Sequence, residues 1–332
     1  MRMAFVCPGA DSQQTLINHG PWVQGEGCYV QAWLNVLGGD YWTGSTICDG
    51  GVWQEIDNYD VILLNQNTTQ YSLICDLAAR AQHAKVIAYQ DGSVDDMTII
   101  GMPSKIGLVQ SLRACDMMMV YQTYAPDYFS LYTDKPVKYV GFPVPVDFIK
   151  SFRKPMSERK NFVMIGTHIG TGGADRNGIS SNFAVQKALP NVPMYCQYYD
   201  PVEVAFAKQF LPTLHQEHCL GQPQYYELLS QARMAVHLDH RHTFGRFAME
   251  CACLGIPCVG TNRNATQSHL FGSHLTFKEP FMQMGEIVQR IKWVWDNPER
   301  LPEGIEKRID FYRDERLRER FFDAVKEIGV VE

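Results

Sequence analysis

One stretch constrains the fold more than any other: residues 234–260, Met-Ala-Val-His-Leu-Asp-His-Arg-His-Thr-Phe-Gly-Arg-Phe-Ala-Met-Glu-Cys-Ala-Cys-Leu-Gly-Ile-Pro-Cys-Val-Gly. It spells strand, loop, helix, turn, strand. Met234, Val236 and Leu238 alternate with Ala235, His237 and Asp239, which predicts a short strand with one apolar face. Thr243-Phe244-Gly245 opens a helix in which Phe247, Cys251 and Leu254 recur at i, i+4 and i+7 and form the face that packs on a sheet. Gly255 ends that helix and Pro257 forbids its continuation. Cys258-Val259-Gly260 begins the next strand.

Two polar residues interrupt the helix. Arg246 and Glu250 are four apart and therefore share a face. Backbone N–H groups near Phe244, Gly245 and Arg246 make a positive helix end suited to phosphate. Glu250 lies about 7–9 Å further along the axis at ~1.5 Å per residue. That is roughly the span from a diphosphate to the ribose diol of one nucleotide, and a carboxylate accepts two hydrogen bonds, as a vicinal diol requires. The alternative reading is a surface Arg–Glu pair on an amphipathic helix.

The rest of the chain has room for such a site. At 332 residues it is long enough for two domains with separate cores. A hydrophobic fraction of 45% is that of a globular protein, and a formal charge of −6 argues against a generally basic surface for nucleic acid or anionic lipid. No run approaches the ~18 apolar residues of a membrane helix, and the start lacks the basic-then-apolar pattern of a signal peptide. Ten cysteines without a Cys-x2-Cys pair read as reduced core thiols of a cytoplasmic protein.

Strand and helix patterns alternate on both sides of residue 150, the signature of two Rossmann-like halves. Met3–Cys7 reads as the first strand. A loop with Gly25-Glu26-Gly27 and a helix to Leu37 follow, without the Gly-x-Gly-x-x-Gly of dinucleotide folds. Tyr59–Leu64 and Lys85–Tyr89 read as strands with a helix, Ser72–Gln82, between them. Asp91 follows the second strand, either as a base at a strand carboxyl end or as a cap to the turn before Gly92. Lys105–Cys115 reads as a helix and Met117–Val120 as a strand, and two prolines stiffen the run 141–148, which puts the boundary near 145–158. The second half opens at Asn161 and continues with a glycine-rich segment holding Arg176. Strand Val192–Cys196, helix Tyr225–Ala232, polar loop Thr261–Ser268, helix Met284–Trp295 and a charged helical stretch Glu306–Ile328 complete it. His237, Asp239, His240 and His242 invite a metal reading, but their spacing does not close a tetrahedral set and no Asp-x-Asp is present, so no metal is expected.

The run from Phe244-Gly245 through Glu250 to Gly255-Ile256-Pro257 resembles the donor-site segment of GT-B glycosyltransferases of the Glu-x7-Glu, family-4-like kind. His242 stands where that pattern has its first Glu. The resemblance implies an α/β fold of two Rossmann-like domains with a donor cleft between them. The implied divisions are 1–148 for the acceptor domain, 149–310 for the nucleotide-sugar domain, and 311–332 for a helix crossing back to the first. It implies a ribose contact for Glu250 and places Phe244, Gly245, Arg246 and His242 at the donor. Arg176, with Asn177-Gly178, matches weakly a cation that meets the diphosphate, while His240 and Arg241, just before the helix, are candidates for diphosphate or sugar. Gly25 and Gly27 lie where the family has a glycine loop facing donor phosphates or acceptor, although a plain tight turn explains them equally well. Asp91 lies where the family often carries His-Asp near the acceptor, with His19, His168 and Asp95 as substitutes should it prove only a turn residue.

The implied activity moves a hexose or pentose from a nucleotide-sugar co-substrate, with no further cofactor and no metal, to a hydroxyl. Glycan, lipid-linked sugar, protein, small molecule and a modified DNA base all stand as acceptors. A nucleotide-sugar epimerase on the same scaffold, and a binding module without turnover, are the competing expectations.

Overall fold

The computed structural model describes residues 1–7, 28–43, 56–66, 71–90, 94, 101–169, 178–198, 201–218, 220–239, 242–278 and 281–331. The chain forms two compact units: Met1–Pro145 together with Tyr312–Glu332, and Val146–Phe311. Each holds its own six-stranded sheet, and the pairings in both are parallel.

In the first unit the strands are β1 (Met3–Cys7), β2 (Asp40–Thr43), β3 (Val61–Gln66), β4 (Lys85–Gln90), β5 (Met117–Val120) and β6 (Val137–Tyr139), in the order β2-β1-β3-β4-β5-β6. Val61 to Leu64 and Met117 to Val120 are apolar at every position because both faces of a parallel sheet are covered. The helices are α1 (Cys28–Leu37), α2 (Tyr71–Arg80), α3 (Met102–Ala114) and α4 (Ala125–Phe129). Ile74 and Leu77 of α2 pack with Ile62, Leu64, Val86 and Ala88 on one side of the sheet. On α1, Trp33 meets Tyr89 edge-on at 5.1 Å and Phe321 of the last helix, Asp314–Lys326, at 6.1 Å. That last helix is tied to this unit again where Arg320 donates to the Val140 carbonyl at 2.8 Å.

The second unit contains β7 (Lys160–Ile169), β8 (Met194–Tyr198), β9 (Leu214–His218), β10 (Ala232–His237), β11 (Cys258–Thr261) and β12 (Thr276–Phe277). Its helices are α5 (Val146–Lys150), α6 (Gly178–Ala188), α7 (Pro201–Phe210), α8 (Gln222–Ser230), α9 (Arg246–Leu254), α10 (Ala265–Phe271), α11 (Met284–Asp296) and α12 (Ile305–Asp310). The strand order is β12-β11-β10-β7-β8-β9. The chain winds outward from β7, returns to the centre at β10, and winds the other way. In a doubly wound sheet the ligand crevice lies at the carboxyl ends of the two strands where the direction reverses, here β7 and β10.

Three expectations from the sequence change. β10 has no polar face: Ala232 to Asp239 are buried apart from half-exposed Arg233, because a central parallel strand is covered on both sides. The polar run after Thr261 is a short turn, and α10 starts at Ala265. The closing charged stretch is two helices, separated at Phe311–Arg313, that belong to different units.

Candidate functional site

The amino end of α9 sits just beyond the carboxyl end of β10. Gly245 takes φ 82° and ψ 43°, the left-handed region. A Cβ there would also stand 2.7 Å from Asn264 Cβ and Thr266 Oγ1, so only glycine fits. The approach to the helix is stitched to the turn between β11 and α10. Thr243 N–H donates to the Arg263 carbonyl at 3.0 Å, Ala265 N–H to Thr243 at 2.9 Å and Thr266 N–H to Phe244 at 3.0 Å. The Thr266 hydroxyl donates to the Gly245 carbonyl at 2.6 Å. The helical ladder begins with Met249 N–H on the Gly245 carbonyl at 3.2 Å, which leaves the Phe247 and Ala248 amides in the first, positive turn.

Beneath this turn runs a polar chain. The Thr243 hydroxyl donates to Asn264 Oδ1 at 2.7 Å, and Asn264 Nδ2 lies 3.0 Å from His237 Nδ1. An amide nitrogen only donates, so Nδ1 accepts and the ring proton resides on Nε2, which faces Asp239 Oδ2 at 3.9 Å. Asp239 is fixed in turn by the Thr261 hydroxyl, which donates to its carbonyl. The Phe247 ring closes the layer, edge-on to His237 at 5.3 Å and against Gly166 of β7.

Glu250 is only 4% exposed. Its Oε1 accepts from Arg246 Nε at 2.9 Å and from the Tyr226 hydroxyl at 3.2 Å, while Oε2 accepts from the Tyr225 hydroxyl at 3.2 Å. Arg246 Nη2 also donates to the Tyr226 oxygen at 3.2 Å. Burial pushes the Glu250 carboxyl above its ordinary value, opposed by the Arg246 charge and the three hydrogen bonds. Burial and the neighbouring carboxylate push both tyrosines upward, so they stay protonated and serve as donors. At the far end of α9, Arg159 donates to the carbonyls of Leu254 at 3.0 Å and Gly255 at 2.9 Å.

Of the residues singled out in the sequence, Phe244, Gly245, Arg246 and Glu250 come together at this turn. Phe244 is buried, and Arg263 Nη1 lies 3.2 Å from His242 Nε2. Gly25, Gly27, Asp91, Arg176 and Arg241 lie outside the described residues, as do His19, Asp95 and His240. His168 is in β7, paired with Gln197 of β8. Tyr225, Tyr226, Asn264, Thr266 and Arg159 were not singled out. Each acts across a long sequence separation, and only the adjacent Tyr-Tyr pair on an otherwise mixed helix was a visible signal. Among the described residues no group of three or more His, Cys, Asp or Glu is arranged to hold a metal ion, and no helix is long and apolar enough to cross a membrane.

No protein-family model and no curated protein matches the sequence. Solved structures do match. A sucrose-phosphate synthase from Thermosynechococcus elongatus superposes with a TM-score of 0.70 at 9% identity, over 99% of both chains. The lipopolysaccharide outer core galactosyltransferase WaaB gives 0.66 at 10% identity, over 99% of this chain and all of the other. An alpha-glucosyltransferase solved with UDP and a mismatched 13-mer DNA gives 0.64 at 12% identity, over 99% of both chains. With two Rossmann-like units, each built on its own parallel sheet, the chain has the GT-B fold of these glycosyltransferases.

Proposed function

We propose that the protein is a glycosyltransferase that moves a sugar from a nucleotide-sugar donor to a hydroxyl acceptor. The observation that carries this reading is the pairing of a positive helix end with a buried, oriented carboxylate one turn further along, at the reversal point of the second sheet. In this reading the first turn of α9, with Gly245 and Phe244, receives the diphosphate, and Glu250 receives the ribose. Arg241 and Arg176 supply the balancing cations, so the chemistry runs without a metal, and His242 lies toward the transferred sugar. Gly25 and Gly27 complete the phosphate side. Asp91, which follows β4 in the sequence, takes the proton from the acceptor hydroxyl, which suits direct displacement with inversion. A glycan is the favoured acceptor. DNA is the alternative, supported by the DNA-bound alpha-glucosyltransferase among the fold relatives and opposed by the net charge of −6.

The test is a panel of nucleotide-sugars scored by the rise in melting temperature. One class is expected to stabilise the protein. Glu250→Ala is expected to remain folded and to lose about 1.5–3 kcal/mol of donor affinity, the scale of a hydrogen bond to a charged group. Unchanged donor binding in that variant refutes the ribose role.

A further inference from the structure

Resting on the reading of Glu250 as the ribose contact, we propose that Tyr225 and Tyr226 are positioning residues that aim the Glu250 carboxylate at a single ribose hydroxyl. Neighbouring residues on a helix point about 100° apart, because 3.6 residues make a turn. Yet these two hydroxyls converge on one carboxylate, and each takes a different oxygen, both at 3.2 Å. They act as a bracket that fixes the plane of the carboxylate.

The bracket is rigid. Tyr226 is fully buried, with its ring edge-on to Phe148 at 6.1 Å and tilted against Phe152 at 5.8 Å and Tyr225 at 5.5 Å. Its hydroxyl has no room to follow a moving partner. Arg246 pairs with Glu250 at 2.9 Å, and a carboxylate this buried needs further donors on its remaining lone pairs. Two hydroxyls that take different oxygens meet that need and also fix the plane of the carboxylate.

Counting lone pairs gives the specificity. A carboxylate offers about four acceptor sites, two on each oxygen. Oε1 is filled by Arg246 and Tyr226, and Oε2 holds only Tyr225 among the described residues. One acceptor site therefore remains, on Oε2, so the two-hydroxyl match expected from the sequence is reduced to one hydroxyl of the diol.

The experiment compares ribose and deoxyribose ligands by calorimetry. UDP, GDP, ADP and CDP are titrated first, and the tightest is then compared with its 2′-deoxy and 3′-deoxy forms. The wild type is expected to bind one of the two deoxy forms about tenfold or more weaker and the other nearly normally. Glu250→Ala is expected to abolish that discrimination. Tyr225→Phe and Tyr226→Phe, assayed separately and checked for folding by thermal melts, are each expected to cut it about threefold or more. Their affinity for the disfavoured deoxy form should stay within about twofold of wild type. A purely structural role would weaken all three ligands together. If Glu250→Ala loses discrimination while both Phe variants keep it, the positioning role is overturned and the donor reading stands. If no diphosphate binds, or Glu250→Ala still discriminates, the donor reading itself falls and the inference falls with it. Should Tyr226→Phe fail to fold, the half-buried Tyr225 still decides the question through Oε2.

Discussion

Adding one methyl group at Gly166 is expected to disturb α9 from below. A Cβ at this position of β7 would stand 2.3, 2.6 and 2.7 Å from three ring carbons of Phe247, distances no real contact tolerates. The ring has little room to turn aside, because it is already edge-on to His237 at 5.3 Å and only 7% exposed. Over-packing of a filled core costs about 1–3 kcal/mol, and a rigid ring on one side with sheet backbone on the other places Gly166→Ala toward the upper end. At about 2–4 °C per kcal/mol for a unit of this size, the melting temperature should fall by roughly 4–12 °C. Phe247 is the second residue of α9, so donor affinity should weaken as well. The decisive measurement is a double-mutant cycle by urea denaturation. Phe247→Leu alone should cost about 1 kcal/mol for lost apolar contact, but in the Gly166→Ala background it makes room for the methyl. The double variant should therefore be more stable than the sum of the two single losses by about 1–2 kcal/mol. Strict additivity would show that Gly166 and Phe247 are not coupled and that α9 is not seated on β7 in this way.

Two further outcomes follow from the site. Burial holds the Glu250 carboxyl above its unfolded-state value, so the folded protein takes up this proton more readily than the unfolded chain does. Glu250 thus contributes stability that is fully present below its unfolded pKa of about 4.3 and is lost as pH rises through the folded value. Glu250→Gln carries no such loss, so its melting temperature relative to wild type should rise from pH 4 to neutrality even though donor binding weakens; melts of both proteins across that range settle the sign. Asp91→Asn should lower turnover by roughly 10²–10⁴ with little change in donor affinity, and normal turnover would reduce Asp91 to a turn residue.

Much of the architecture could be read from local chemistry. The unbroken apolar runs in β3 and β5 announce strands covered on both faces, and α9 is bounded by Gly245 and Gly255, both at positive φ. The edge strands were harder. β9, Leu-His-Gln-Glu-His, and β2, Asp-Tyr-Trp-Thr, each have one open side and carry no apolar run to mark them. At the site the Arg246–Glu250 pair was legible because helix geometry fixes the i,i+4 relation. The partners that bury and aim Glu250 were not legible. Tyr225 and Tyr226 reach it from another helix, 25 and 24 residues earlier. The fit of Gly245 against Asn264 and Thr266 likewise depends on how β11 and α10 return to the sheet.

Arg159 gives α9 a further property. Its guanidinium holds the Leu254 and Gly255 carbonyls from the residue just before β7, while at the opposite end Thr266 of α10 holds the Gly245 carbonyl and Asn264, in the turn after β11, holds Thr243 just before the helix. A helix clamped at both ends by different parts of the sheet cannot fray one turn at a time. Its amides should therefore exchange with solvent as one cooperative block with β7 and β11, near the slowest rate of the second unit. A ligand seated at its amino end would meet a stiff support, and little of the binding energy would be spent on ordering it.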